Sequence, residues 1–306
     1  YFIQDFEALF NPMGDGYILA CNSYGYGLKP VTIGRWLSHK MQTEYHTPSR
    51  YFDFCADRRI YRPLPEAKKE HAICFVYQPD KPRRCSVLGI EALGIVKFLR
   101  PDVKIYLYGS NIKGNVWFEH ENLGIIPLEK CNALYNKCEV GLCISSSNPS
   151  RIPFEMMAAG LPVVDLYMEN NFYDMPNEGV RLAHTTPESI AQALIEILDH
   201  PEKAAEMSEA GKRYMADKDL EHGFEQFYAA VSDMAARREP AEPAVYDRSY
   251  TRPAVSADVV MDEKLAEQSY APPVIVDNSL FGRLKRIGFI RKSKLLRKLW
   301  YKLRGL

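Results

Sequence analysis

Apolar positions recur along this chain in two rhythms. Short unbroken apolar or alternating runs of strand length lie at 1–5, 31–34, 72–77 (A-I-C-F-V-Y), 104–108, 140–144 and 162–166. Helical spacing governs 17–24, a stretch beginning at Trp36, and 86–98, where Val87, Ile90, Leu93 and Val96 supply the apolar positions. It governs 129–137, 153–159, 187–199 and 202–215 as well. Such periods predict strands and amphipathic helices respectively. From residue 72 onward, strands alternate with helices of about 10–15 residues, which predicts an α/β fold with a parallel sheet covered on both faces. Sheets of this kind bind ligands at the C-terminal ends of their strands.

Breakers divide the pattern. Pro12, Gly14 and Gly16 mark a turn-rich loop over 6–16, and the aromatics, charges and two prolines of 50–65 read as a connection between domains. The pattern fails from 235 to 273, where Pro, Ala, Glu and Ser predominate, so 236–280 reads as a disordered linker. No window approaches the ~20 apolar residues of a membrane-spanning helix.

Length and charge alter this picture. With 306 residues, the chain is long enough for two domains. Its 39 basic and 39 acidic residues sum to zero, but unevenly: 281–306 carries ten Lys or Arg and no acid, leaving a net of −10 in 1–280. Within the tail, Leu295, Leu296, Leu299, Trp300 and Leu303 fall at helical spacing, with Lys294, Arg297, Lys298, Lys302 and Arg304 between them. This is the pattern of a basic amphipathic helix lying on an anionic membrane, although docking on the acidic body or binding nucleic acid would use the same charge. The aliphatic and Trp stripe favours the membrane and argues against nucleic acid as the partner. Seven cysteines show no C-x-x-C pair and no His at zinc-finger spacing, which argues against a metal cluster. Cys74 and Cys143 sit in apolar runs and read as buried, reduced thiols of a reducing compartment.

Chemistry concentrates in S-S-S-N-P-S-R-I-P-F-E-M-M-A-A-G-L-P-V-V at 145–164: a strand end, a hydroxyl-rich loop, a helix and the next strand. Ser150 can cap that helix and Pro153 suits its first turn. The free N–H groups of such a terminus, with the helix dipole, form an anion site. Glu155, in the first turn, could accept hydrogen bonds from two adjacent ribose hydroxyls, or could simply complement the helix dipole. Lys81, Arg83 and Arg84 follow the strand at 72–77 and are the cations best placed to hold a diphosphate; a solvated basic turn would look the same. Asp5 and Glu7, at the end of the first strand, could serve a general base, although Asp5 could equally tie down the following loop. The chain contains no G-x-S-x-G elbow, no G-x-G-x-x-G and no D-x-D motif before a strand end. The seven histidines are scattered and read as surface or packing residues.

The run P-F-E-M-M-A-A-G-L-P-V-V resembles the donor-binding segment of GT-B glycosyltransferases. Together with the opening Y-F-I-Q-D-F-E and N-P-M-G, the W-L at 36–37 and S-N-P-S-R-I-P-F-E-M-M-A, it is similar to the rhamnan-synthesis F and WsaF type of rhamnosyltransferase, over about residues 1–232. The resemblance implies two Rossmann-like domains facing across a cleft. Residues 1–66 would be the end of an acceptor-side domain whose remainder precedes this chain, 67–235 the nucleotide-sugar-binding domain, and the helix at 218–235 the one that crosses back. It further implies that Glu155 holds the donor ribose, that Ser145, Ser146, Ser147, Asn148, Ser150 and Arg151 lie against the sugar and diphosphate, and that Ile125 and Pro127 pack on the base. Gly109 would sit at the donor-facing end of its strand. The donor would be a nucleoside-diphosphate sugar, dTDP-rhamnose by family; no cofactor or metal would be needed. The acceptor would be a lipid-linked glycan of a bacterial cell-surface polysaccharide, made at the inner face of the cytoplasmic membrane. The chain departs from the family where Gln78 replaces a basic residue, Ser147 stands at the first acidic position of the Glu-x7-Glu pattern, and Asn148 replaces a His. A non-catalytic nucleotide-sugar-binding fragment tethered to membranes is the alternative.

Overall fold

The computed structural model describes residues 1–238 and 246–257. The basic tail and its amphipathic pattern lie outside the described residues.

The chain opens with β1 (Phe2–Ile3), a 3-10 turn at Glu7–Phe10, α1 (Asp15–Tyr24), β2 (Val31–Ile33), α2 (Arg35–Glu44) and β3 (Arg50–Phe52). These strands form a parallel sheet in the order β1-β2-β3. The stretch read as a mere connection therefore begins with a strand. β3 is three residues long and carries no period to reveal it.

A six-stranded sheet follows. Its elements are β4 (Ala72–Val76), α3 (Ser86–Leu99), β5 (Lys104–Tyr108), β6 (Glu121–Asn122), α4 (Leu128–Lys137), β7 (Val140–Leu142), α5 (Arg151–Ala158), β8 (Val163–Leu166), α6 (Glu169–Phe172), β9 (Val180–Ala183), α7 (Pro187–Asp199) and α8 (Pro201–Tyr214). Every pairing is parallel and the order is β6-β5-β4-β7-β8-β9. This is the 3-2-1-4-5-6 order of a doubly wound sheet, and its reversal lies between β4 and β7. Ligands of such sheets sit at that reversal, beyond the strand C-termini.

Alternation sorts the side chains. Ile73, Phe75, Ile105, Leu107 and Leu142 pack with Ile90, Leu93, Ile190 and Leu194 of α3 and α7. Cys74, Val76, Tyr106 and Tyr108 face the opposite way, towards Leu134 and Tyr135 of α4 and Phe154, Met156 and Met157 of α5. This second core continues without a break into Ile3, Trp36, Leu37 and Phe54 of the first sheet. The boundary expected at residue 66 falls between the two sheets, and the described residues lie in one compact unit, Tyr1–Val259. Cys74 and Cys143 are fully buried, as expected, and no cysteine is in a disulfide.

Two contacts fix one sheet on the other. The carboxylate of Asp174 accepts from the backbone N–H of Arg35 (2.7 Å) and Trp36 (3.1 Å), capping α2 from across the interface. Phe54 stacks on Phe154 at 4.6 Å, the two rings nearly parallel. Gly34 lies between them with φ +78°, and a Cβ there would fall 2.4 Å from Phe54 and 2.9 Å from Asp174. The last helix among the described residues, α9 (Leu220–Ala235), leaves the six-stranded sheet and covers the first: Phe227 meets Phe52 and Phe2, and Arg50 pairs with Asp233 at 3.3 Å.

The linker reading of 236–280 needs correction over its described part. Residues 246–257 are a strap against the fold. Tyr250 is buried, and its hydroxyl accepts from Leu182 N (3.1 Å). Val255 bridges Ala183 in parallel, extending the sheet beyond β9. Tyr246 stacks edge-on against Tyr51 of the other sheet. Composition concealed this, because three large anchors spaced along a polar stretch have no period.

Replacing Gly34 with Ala combines a positive φ with an overlap of two interface anchors. We expect a loss of roughly 2–4 kcal/mol, read as a lower denaturant midpoint. An unchanged midpoint would show that this close approach does not hold the sheets together.

Candidate functional site

β7 ends at Leu142, and the chain then turns through the serine loop into α5. The loop is shaped by a buried acid. Asp165, on β8 and with no exposed surface, accepts from Ser145 N (2.8 Å), Ser145 Oγ (2.7 Å) and Leu166 N (2.7 Å). Ser145 Oγ in turn accepts from Ser150 N (3.1 Å), and Asn170 and Asn171 donate to Ser145 O. Ser150 occupies the N-cap of α5, and its hydroxyl accepts from Ile152 N at 3.4 Å. Ser145 and Ser150 are thus positioning residues that draw the loop closed and aim the helix N-terminus outward.

The next residues bind neighbouring segments. Ser146 donates to Arg83 O (2.7 Å), tying the serine loop to the cation loop that follows β4. Ser147 hydrogen-bonds Asp5, and Asn148 donates to Gln4 O (3.0 Å), tying it to the first sheet. Asn148 therefore serves as a bridge between the two sheets.

Asp5, Arg83, Arg84, Ser150 and Arg151 converge on one cleft of about 550 Å³ between the sheets, whose other walls include Phe54, Asp53 and Phe227. Burial raises the carboxyl of Asp5 above its ordinary range, against the pull of Ser147, Arg83 and Arg84. Its Oδ1 and the Nε of Arg84 are buried without a hydrogen-bond partner. The Arg83 guanidinium lies 4.4 Å above the Phe10 ring. Arg83, Arg84 and Arg151, the carboxyls of Asp5 and Asp53 and one helix N-terminus thus meet beyond the C-terminal ends of β4 and β7, where the sheet order reverses.

Other expected residues lie apart from this cleft. Lys81 precedes the 3-10 turn Pro82–Arg84 and does not line it. Glu155 shares a face of α5 with Arg151, which it approaches at 3.8 Å, but turns towards α4. Its carboxyl is hydrogen-bonded by Tyr61 and is pushed up by burial, with Arg151 opposing. Gly109 (φ +100°) ends β5; its N–H donates to Gly124 O (2.8 Å) and its carbonyl accepts from Gln78 Nε2 (3.2 Å). Gln78 thus joins the ends of β4 and β5. Ile125 and Pro127 follow β6 and are both exposed; Ile125 N donates to Asn111 Oδ1 at 3.2 Å. Among the described residues, no group of three or more His, Cys, Asp or Glu could hold a metal ion, and no helix is long and apolar enough to cross a membrane.

Sequence reading missed Asp165, Asp53 and Tyr61. An acid inside the apolar run V-V-D-L was the available signal for Asp165; the other two become informative only once their distant partners are in place.

Comparison with known proteins agrees with this architecture. Residues 71–195 match the family model described as WsaF, C-terminal domain. The chain is 30% identical over 205 residues to the O-antigen biosynthesis protein RfbC of Myxococcus xanthus; the match takes in 63% of this chain and spans 16% of that protein. Sucrose-phosphate synthase of Thermosynechococcus elongatus superposes with a TM-score of 0.62 at 14% identity, over 75% of this chain and 66% of its own. Anabaena HepE in complex with UDP-glucose gives 0.58 at 15% identity, over 76% and 71%. A glycosyltransferase from Rickettsia africae gives 0.58 at 13%, over 71% and 67%. The fold is GT-B.

Two buried acids make stability depend on pH. Burial lifts Asp165 from 3.8 to about 7 and Asp174 from 3.8 to about 6. Between the unfolded and folded values, the folded state keeps a proton that the unfolded chain has released, so stability falls as pH rises from about 4 to about 7. Asp165→Asn retains an acceptor oxygen and removes its titration. The decline between pH 6 and 7 should then vanish in thermal or denaturant unfolding, while Asp174 still contributes below pH 6. An unaltered slope above pH 6 would remove Asp165 as its source.

Proposed function

We propose that this chain, which carries a WsaF-type C-terminal domain on a GT-B fold, is the donor-binding part of a glycosyltransferase. It transfers a sugar from a nucleoside diphosphate onto a bacterial cell-surface polysaccharide. The observation that carries this reading is the meeting of Arg83, Arg84 and the N-terminus of α5 at the reversal of sheet order, on a loop closed by Asp165.

Negative charge grows on the leaving diphosphate as the glycosidic bond breaks. Fixed cations and N–H dipoles stabilise that charge without reorganising, and losing one such group costs roughly 10²–10³ in rate. Arg83 and Arg84 fill this role, with the free N–H groups at the start of α5 beside them. Glu155, one turn along the same helix face as Arg151, takes the ribose hydroxyls in place of Tyr61. Ile125 and Pro127 offer an exposed apolar wall for the base. Asp5, across the cleft, accepts the proton of the acceptor hydroxyl; its raised pKa and unpartnered oxygen suit a general base. The chemistry is metal-independent, with the two arginines supplying the charge.

The family resemblance supports rhamnose, delivered from dTDP-rhamnose, as the sugar. It supports a lipid-linked acceptor as well, with the enzyme held on the inner face of the cytoplasmic membrane by the basic tail.

Glu155→Ala should weaken donor binding roughly ten- to hundred-fold in calorimetry, since each hydrogen bond to a charged acceptor contributes about 1.5–3 kcal/mol. Arg84→Ala should slow donor hydrolysis by roughly 10²-fold. In a thermal-shift screen of dTDP-, UDP- and GDP-sugars, dTDP-rhamnose should give the largest stabilisation. Equal affinity in Glu155→Ala would end the ribose assignment. Binding without hydrolysis, in this chain and in a longer natural one, would favour the non-catalytic reading. For the tail, deletion of 281–306 should release the protein from vesicles containing anionic lipid in a flotation assay; continued co-flotation would refute it.

A further inference from the structure

The carboxyl assigned to the nucleotide's sugar already has a partner. Tyr61 lies in the connection between the sheets, is only 3% exposed, and hydrogen-bonds Glu155. Its ring is held in place. It stacks on Tyr135 of α4, with centroids 6.0 Å apart and an angle of 21°. Tyr61 N donates to Asp57 O at 2.8 Å. The residues that follow are tacked to α4: Arg62 N donates to Asn132 Oδ1 (3.1 Å), Leu64 N to Asn136 Oδ1 (2.7 Å), and Asn136 Nδ2 to Arg62 O (3.0 Å).

Glu155 is itself nearly covered. Its side chain is 13% exposed, and Arg151 stays 3.8 Å away, beyond hydrogen-bonding distance. A nucleotide can reach only this small exposed remainder of the carboxylate. Burial, with the charge of Glu155 beside it, raises the Tyr61 phenol above its ordinary range, so the hydroxyl stays a donor.

We propose that Tyr61 makes the donor site select a 2′-deoxyribose over a ribose. The inference rests on the donor reading, with Glu155 at the sugar of the nucleotide. It deepens that reading by naming the residue that tells dTDP from a ribonucleotide. A ribose offers two adjacent hydroxyls, which a carboxylate accepts best with one on each oxygen. Tyr61 already takes part of that capacity. A 2′-deoxyribose brings its 3′-hydroxyl alone, so it and Tyr61 can share Glu155. A ribose has two courses. It displaces Tyr61 and leaves a buried phenol hydroxyl without a partner, or it leaves its own 2′-hydroxyl unpaired. Either course costs binding, and the stack on Tyr135 and the ties to α4 oppose the first. A Tyr61 that merely filled the site until a nucleotide arrived would yield to both sugars alike.

The test is calorimetry on the full 306-residue chain with two nucleotides that differ by one hydroxyl, dTDP and 5-methyluridine diphosphate. A second pair, 2′-deoxy-UDP and UDP, repeats the comparison on another base. In each pair the deoxy form should bind five-fold or more tightly. Tyr61→Phe keeps the ring on Tyr135 and removes only the hydroxyl. In that variant the ratio should fall to one or below, because the 2′-hydroxyl gains a free oxygen on Glu155. A purely structural role for Tyr61 would weaken both members of a pair alike and leave their ratio unmoved. Selection by Tyr61 is overturned if the unaltered chain binds both members of each pair equally or prefers the ribose form. It is overturned as well if the ratio survives in Tyr61→Phe. Failure of all four nucleotides to bind overturns the donor reading, and unchanged binding in Glu155→Ala overturns the sugar assignment. Either result takes the selection with it and is distinct from equal binding within a pair.

Discussion

The site depends on one buried carboxylate. Asp165 has no access to water, and three donors converge on it: the amide and hydroxyl of Ser145 and the amide of Leu166. A buried acid is costly unless its lone pairs are taken, and these bonds both satisfy it and dictate where the chain leaves β7. Once Ser145 is held, its hydroxyl receives Ser150 N, Ser150 caps α5, and the helix N-terminus points into the cleft. The arginines are placed through the same circuit, because Ser146 holds the carbonyl of Arg83. The anion site is therefore built from the strand behind it as much as from the loop that displays it.

The second constraint is that the cleft belongs to both sheets. Asp174 caps α2 across the interface, Phe54 stacks on Phe154, and Asn148 reaches Gln4 O. The helix α9 carries the chain back over the first sheet, and the strap at 246–257 reaches both the edge of β9 and Tyr51. These ties place Asp5 opposite Arg83 and Arg84 with little side-chain freedom. The same return of α9 delivers Gln226 and His222 to Asp53, so one helix both joins the sheets and furnishes the aromatic wall of the cleft.

Much of the fold was legible because it is written in period and run length. The strands at 72–77 and 104–108 and the helices at 86–98 and 187–199 appear within a residue or two of their expected ends, since each is a continuous apolar run or a clear helical stripe. β3, α6 and β9 carry no such pattern. They are three or four residues long, and their stability comes from neighbouring elements rather than from their own pattern. The strap carries none either: Tyr246, Tyr250 and Val255 are isolated anchors in a polar stretch.

The candidate site divides along the same line. Its donor-facing part lies in two short segments, 81–84 and 145–155, so residue types at close spacing announced a cation loop, a hydroxyl loop and a helix N-terminus. What the chain determined by itself is therefore the class of fold and the groups that could meet an anion, because strand period, helix stripe and capping chemistry are local. Tertiary structure alone decided which of those groups share a cleft. It turned Lys81 away, set Glu155 against Tyr61, and brought Asp53 to Gln226 and Asp165 to Ser145. Those pairings close over 20 to more than 170 residues of chain, and only the packing of sheet on sheet, and of α9 on the first, specifies contacts at such separations.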